Sequence, residues 1–261
     1  MENRHELERP RIGRVRISPM AGAAERVDAR GHFRLRSRGP VVPPVTPPEL
    51  YALRFNPDEK ARKARVWRVL CRSFFQRYIR PEDTVLDIGA GYCEFINHVV
   101  CRRRIALDVN EEVRRHADPD VEVVGGASAD VAALPDGAVD VVFASNFFEH
   151  LPTKNEMLRI LTAIRRVLRP GGRLLILQPN IRYAGGAYWD FFDHHLPLTE
   201  RSIVEALGLV GLRPVEVRAR FLPLTTKSGL PQHPALVWLY LKIPIVHRFM
   251  GQQSWIVAVN D

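Results

Sequence analysis

Between Thr84 and Leu177 short apolar runs of strand length alternate with stretches of helical period, and this alternation limits the fold more than any other feature of the chain. The apolar runs fall at 84–88, 105–108, 121–124, 139–144 and 173–177, with helical stretches at 94–101 and 154–168. Strands without a polar face, separated by helices, fit a parallel sheet covered on both sides. Ahead of them Val66, Leu70, Phe74 and Tyr78 recur every four residues, with Trp67, Cys71 and Phe75 alongside. That period predicts a helix over 57–78 that packs on the sheet.

Past Pro179 the pattern loosens. Residues 182–198 are rich in aromatics and histidine and read as an insertion, spanning about 180–199, over the working edge of the sheet. The alternation resumes with a helix over 200–209, a strand over 212–221, a loop over 225–233 and a closing strand over 254–260. Residues 234–250 are strongly apolar and contain Pro244, which predicts a covering helix broken at that proline. Core or lid packing is the expectation for this segment, with peripheral membrane contact as the alternative.

A chain of 261 residues has room for one sizeable α/β domain and an appendage. Its 46% apolar and 26% charged residues are ordinary globular values. Cys71, Cys93 and Cys101 form no CxxC pair and read as free thiols. The net charge of +9 raises nucleic acid as a partner, but residues 1–48 hold ten arginines against five acids and so carry +5 of it. Five prolines close that stretch, and 1–48 is expected to be a disordered Arg/Pro-rich tail preceding a domain over 49–261. Nucleic acid is therefore not the expected partner. No apolar run reaches the roughly 18–20 residues of a membrane span, and a cytoplasmic location is expected. Oligomeric state is not legible in the sequence.

Residues 84–94, TVLDIGAGYCE, run from an apolar strand through a glycine turn into the next stretch. Ligands of open α/β sheets bind at the carboxyl ends of strands, where glycines let the backbone approach closely. A dinucleotide loop would place a third small residue where Glu94 stands, facing a pyrophosphate. Two carboxylates, Asp87 and Glu94, suit a cationic ligand better and disfavour a nicotinamide dehydrogenase.

The segment VLDIGAGYCEF resembles the first motif of class I S-adenosylmethionine-dependent methyltransferases. Further segments resemble the family in order: IALD ending at Asp108, DVAALP from Asp130, DVVFASNFFE from Asp140, and RPGGR from Arg169. The resemblance implies a doubly wound α/β fold, a mostly parallel seven-stranded sheet of the Rossmann-like methyltransferase type. It implies S-adenosylmethionine as cofactor, with Asp87, Gly89, Ala90, Gly91 and Asn146 near its methionine portion. Asp108 would accept the ribose hydroxyls, Asp130 the adenine amino group, and Val131 would offer its backbone N–H. Tyr92-Cys93 departs from the family pattern, where a second small pair often stands.

The aromatic and histidine-rich stretch at 179–199 resembles an insertion of a bacterial small-molecule and polysaccharide-cluster subgroup. A hydroxyl acceptor is helped by a base of near-neutral pKa, which makes His194 the first catalytic candidate, with Asp193 and His150 behind it. The expected reaction is methyl transfer to an oxygen of a small or carrier-linked sugar or secondary metabolite, with no metal. An RNA or protein methyltransferase, and a non-catalytic cofactor-binding subunit, are the alternatives.

Overall fold

In a computed structural model of the protein, the described residues are 57–125, 128–224 and 233–261, and of 57–60 and 128–130 only the backbone course. They all fall in the unit Val45–Asp261. The expected tail and most of the 225–233 loop lie outside the described residues.

Helix α1 (Pro57–Ser73) and a 3-10 turn (Phe75–Tyr78) lead into β1 (Thr84–Ile88). Then come β2 (Arg103–Asp108), the single turn α2 (Val113–His116), β3 (Val121–Gly125), β4 (Val139–Ser145), α3 (Lys154–Val167) and β5 (Leu168–Pro179). The short α4 (Ile181–Ala184) and a 3-10 turn (Gly185–Asp190) open the insertion. The chain closes with α5 (Glu200–Leu209), β6 (Leu212–Arg218), α6 (Pro234–Lys242), α7 (Pro244–Met250) and β7 (Gln253–Asn260). The seven strands stand in the order β3-β2-β1-β4-β5-β7-β6. Strands β1 to β5 pair in parallel, and β7 runs antiparallel to both β5 and β6. The strand order reverses between β1 and β4, the position where open α/β sheets bind ligands.

Successive strand residues point to opposite faces, so the sheet carries two cores. Leu86, Ile88, Val142 and Ala144 pack with Ile160, Ile164, Ile203 and Leu207 from α3 and α5. Val85, Val141, Phe143 and Trp255 pack on the other face with Leu70, Phe74 and Phe75. The α3 helix begins where Thr153 accepts the Glu156 N–H, and α5 where Thr199 and Ser202 cap each other's backbone. Pro244 stops α6 and starts α7, as its missing N–H and fixed φ require.

Two expectations need correction. The stretch 94–101 is not a regular helix: residues 91–98 are consecutive turns, because Gly91 (φ +54°) and Cys93 (φ +59°) are left-handed and interrupt the i to i−4 ladder. The strand expected over 212–221 ends at Arg218, beyond which Phe221 turns into the core beside Phe74 and Trp255.

The fully buried Trp255 lies 5.2–5.3 Å from the rings of Phe74, Phe75 and Tyr78, and its indole N–H donates to the Tyr78 hydroxyl. Truncating a buried indole leaves a cavity as well as lost transfer energy. Trp255→Ala is expected to cost roughly 3–5 kcal/mol of stability, read from the urea midpoint.

Candidate active site

At the end of β1 the chain turns back over β2. The Gly89 and Ala90 N–H groups both donate to the Leu107 carbonyl, at 2.8 and 3.2 Å. Gly89 has φ +67°, and a Cβ there would lie 2.7 Å from the Phe147 ring. The residue therefore has to be glycine on both counts, and Phe147, which follows β4, forms the far wall of the turn. Nothing in the sequence singled out Phe147 beyond its place next to Asn146.

Asp108 ends β2 and is 8% exposed. One carboxylate oxygen accepts the Gly91 N–H at 2.7 Å, and the other accepts the Asn110 N–H at 2.7 Å. Burial raises its pKa, and these two N–H groups and the charge of His150 pull it back down. A carboxylate offers about four lone-pair sites, so two remain for hydroxyl donors.

Asp87 lies lower. It is almost wholly buried, and the Ile96 N–H supports its carboxylate from within the turn segment. Burial first, then the charges of Asp108 and Glu94, push its pKa well above the usual carboxylate range. Glu94 is held by Lys63 of α1 at 2.9 Å. These three acids crowd one end of the sheet, where a cationic ligand would relieve their repulsion.

The remaining cofactor candidates sit at the same strand ends. Asp130 belongs to the 3-10 turn Ser128–Ala133 that follows β3, and its side chain is outside the described residues. Val131 is fully buried beneath that turn. Arg166 of α3 clamps the turn by donating to the Ala132 and Leu134 carbonyls at 2.7 and 3.1 Å. Asn146 is exposed just past β4 in a left-handed conformation (φ +47°), with its N–H bonded to the Leu177 carbonyl. The glycine turn with no space for a Cβ, the half-used Asp108 carboxylate and the cluster of acids together fit S-adenosylmethionine.

Above this cleft the structure brings together the three catalytic candidates. His150, in the 3-10 turn Phe148–His150 after β4, places Nδ1 3.0 Å from the Asp193 carbonyl and 3.3 Å from its Oδ2. The His194 ring lies 5.1 Å from that of His150, buried and stacked on Phe191 at 4.7 Å. Tyr188 packs on the other side of His194 and donates its hydroxyl to the Leu196 carbonyl.

Glu149 joins them and was not singled out from the sequence. It is fully buried, and one carboxylate oxygen accepts the Gln178 side-chain N–H at 2.9 Å. Its other oxygen faces His150 Nε2 at 4.0 Å and has no hydrogen-bond partner. Burial raises its pKa, the charge of His150 opposing. The Glu149 carbonyl also accepts the His195 and Leu196 N–H groups at 2.7 and 3.0 Å, which pins the insertion to the end of β4. Donor atoms of Glu149, His150 and His194 lie within 4.8 Å of one another. Zinc ligands stand about 2.0–2.2 Å from the ion, so a metal there would have to draw the three closer.

Residues 86–176 match the family model described as "Methyltransferase domain". The chain is 30% identical over 138 residues to a sarcosine/dimethylglycine N-methyltransferase of Halorhodospira halochloris, covering 48% of each chain. It is 28% identical over 190 residues to a demethylmenaquinone methyltransferase of Symbiobacterium thermophilum, covering 64% of this chain and 72% of that one. The chain spans about half the length of most of the curated relatives it matches. Among solved structures, a SAM-dependent methyltransferase from Archaeoglobus fulgidus superposes with a TM-score of 0.57 at 20% identity, over 76% of this chain and 94% of that one.

Gly89→Ala tests the turn. A left-handed alanine is strained by about 1–3 kcal/mol before its methyl meets Phe147, so urea melts are expected to show at least that loss of stability. Calorimetric titration should show weaker binding of S-adenosylhomocysteine. The strand order, the glycine turn under Phe147 and the matched segment agree: residues 86–176 match a methyltransferase domain, and the sheet has the Rossmann-like fold of S-adenosylmethionine-dependent methyltransferases.

Proposed function

We propose that the chain transfers a methyl group from S-adenosylmethionine to an oxygen of a small or carrier-linked acceptor, a sugar or secondary metabolite, with His150 as the proton acceptor. The observation that carries this reading is the His150–Asp193 pair beside Glu149 at the mouth of the cofactor cleft. With Nδ1 donating to the Asp193 carbonyl, the Nε2 lone pair is left for the acceptor. A hydroxyl needs such a base, whereas a neutral amine does not.

When bound, S-adenosylmethionine supplies a methyl carbon on a positively charged sulfur. Asp108 would hold its ribose, and the turn at Gly89, Ala90 and Gly91, with Asp87 beneath, would line its methionine portion together with Asn146. Asp130 and Val131 would take the adenine. His150 takes the hydroxyl proton at Nε2, and Asp193 keeps the ring in that tautomer.

Geometry favours His150 over His194 for this role. His194 is buried against Phe191 and Tyr188, while His150 keeps part of its ring exposed. His194 then orients His150 and shapes the acceptor pocket. The relatives named as N-methyltransferase and menaquinone methyltransferase act on different atoms, so the choice of oxygen rests on the base. Membership of the polysaccharide-cluster subgroup rests on the insertion at 180–199 alone.

Two measurements test this. Asp108→Ala is expected to weaken S-adenosylhomocysteine binding by about 1–3 kcal/mol in calorimetry, since hydroxyls would lose a buried acceptor. An unchanged affinity removes Asp108 from the site. In a screen for transfer of the labelled methyl group onto hydroxyl metabolites, His150→Ala should lower kcat about 10²–10⁴-fold while cofactor affinity holds. His194→Ala should lower it less. Equal turnover of His150→Ala and the wild type would refute the base assignment.

A further inference from the structure

The α6–α7 pair is packed on one side only. Val237, Tyr240 and Leu241 lie against the core shared with α1, and the Tyr240 hydroxyl donates to the Phe221 carbonyl. The other side leaves Leu236, Trp238, Leu239, Ile243, Ile245 and Phe249 exposed, Trp238 at 49% and Phe249 at 75%. Isolated exposed apolar residues are ordinary, but six large ones on two consecutive short helices form a patch.

Its charge is one-sided. From His233 to Asn260 there is no aspartate or glutamate, and the cations Lys242 and Arg248 stand in the last turns of α6 and α7. The Lys242 ammonium lies over the Trp238 ring, 5.7 Å from its centre, so a cation stands against the apolar face. Residues 49–261 as a whole carry +4. Aromatic and aliphatic side chains bordered by Lys and Arg, with no acid among them, are the composition of a helix lying in a lipid interface. A protein–protein interface core is instead depleted in lysine.

The patch is tied to the catalytic edge of the sheet. Arg220 donates to the carbonyls of Gly251 and Phe249 at the end of α7, while its guanidinium lies 4.8 Å from the Tyr183 ring in the insertion. Gln252 donates to the Tyr183 carbonyl at 3.3 Å. From there β7 begins opposite Pro179, at the carboxyl end of β5. Trp189 and Phe192 of the insertion are exposed as well.

We propose that the exposed face of α6 and α7 docks on an anionic lipid bilayer and holds the mouth of the methyltransferase site toward a lipid-linked acceptor. The acceptor clause rests on the methyl-transfer reading above, whereas docking does not.

Full-length protein would be sedimented with vesicles of phosphatidylcholine, with and without phosphatidylglycerol, in the absence of cofactor and acceptor. Binding is expected to the anionic vesicles. The triple variant Trp238→Ser, Ile245→Ser, Phe249→Ser, which keeps every basic residue, should bind at least about tenfold more weakly. Brominated acyl chains should quench wild-type fluorescence and quench Trp238→Phe less, a readout that does not depend on the triple variant folding. Equal binding of wild type and triple variant overturns the proposal, since charge elsewhere would then account for it. So does a wild type that ignores vesicles but self-associates through this face, with the triple variant monomeric. A wild type that binds the anionic vesicles but, in the separate labelled-methyl screen with cofactor and hydroxyl acceptors, transfers no methyl group would sink the transferase reading and leave the docking face standing.

Discussion

One buried carboxylate organises the cofactor end of this protein. Asp108 ends β2 and reaches across to accept a backbone N–H from the turn after β1 and another from its own following loop. The Gly91 bond adds to the hold that the Leu107 carbonyl has on Gly89 and Ala90, and without the two N–H groups the acid would be buried without partners, at a cost of several kcal/mol. The same group has lone pairs left over. One side chain thus supports the loop and still has acceptor sites left at the end of β2.

A second anchor, main chain rather than side chain, gathers the candidate histidines. The Glu149 carbonyl holds the backbone of His195 and Leu196, which fixes Asp193 and His194 over His150. The Glu149 carboxyl is locked beneath by Gln178 of β5. An insertion that would otherwise be a loop without a partner therefore becomes a rigid wall. Between the two anchors stands Phe147, which covers Gly89 and closes the space between the first and fourth strands.

Helices α6 and α7 follow a different logic. They give the core only one flank, through Val237, Tyr240 and Leu241, and the other flank stays apolar in water. Packing against α1 explains their position but not the composition of their outer face. Arg220 joins the end of α7 to the insertion, donating to the Gly251 carbonyl and lying over the Tyr183 ring.

The sequence by itself determined the layers. Apolar runs of strand length and 3.6-residue periods located all seven strands and the longer helices, Pro244 divided α6 from α7, and the ordered motifs placed Gly89 and Asp108 at strand ends, because these signals depend on neighbours a few residues apart. Only the tertiary structure decided the rest. His150 and Asp193 meet across 43 residues of chain, and Glu149 on the other side of the His150 ring carries no motif in the sequence. The left-handed Cys93 unmade a helix that its period suggested, and Asp87 is almost wholly buried at the end of β1. Such outcomes depend on which loop crosses which strand end, and local propensity carries no information about contacts made at that distance.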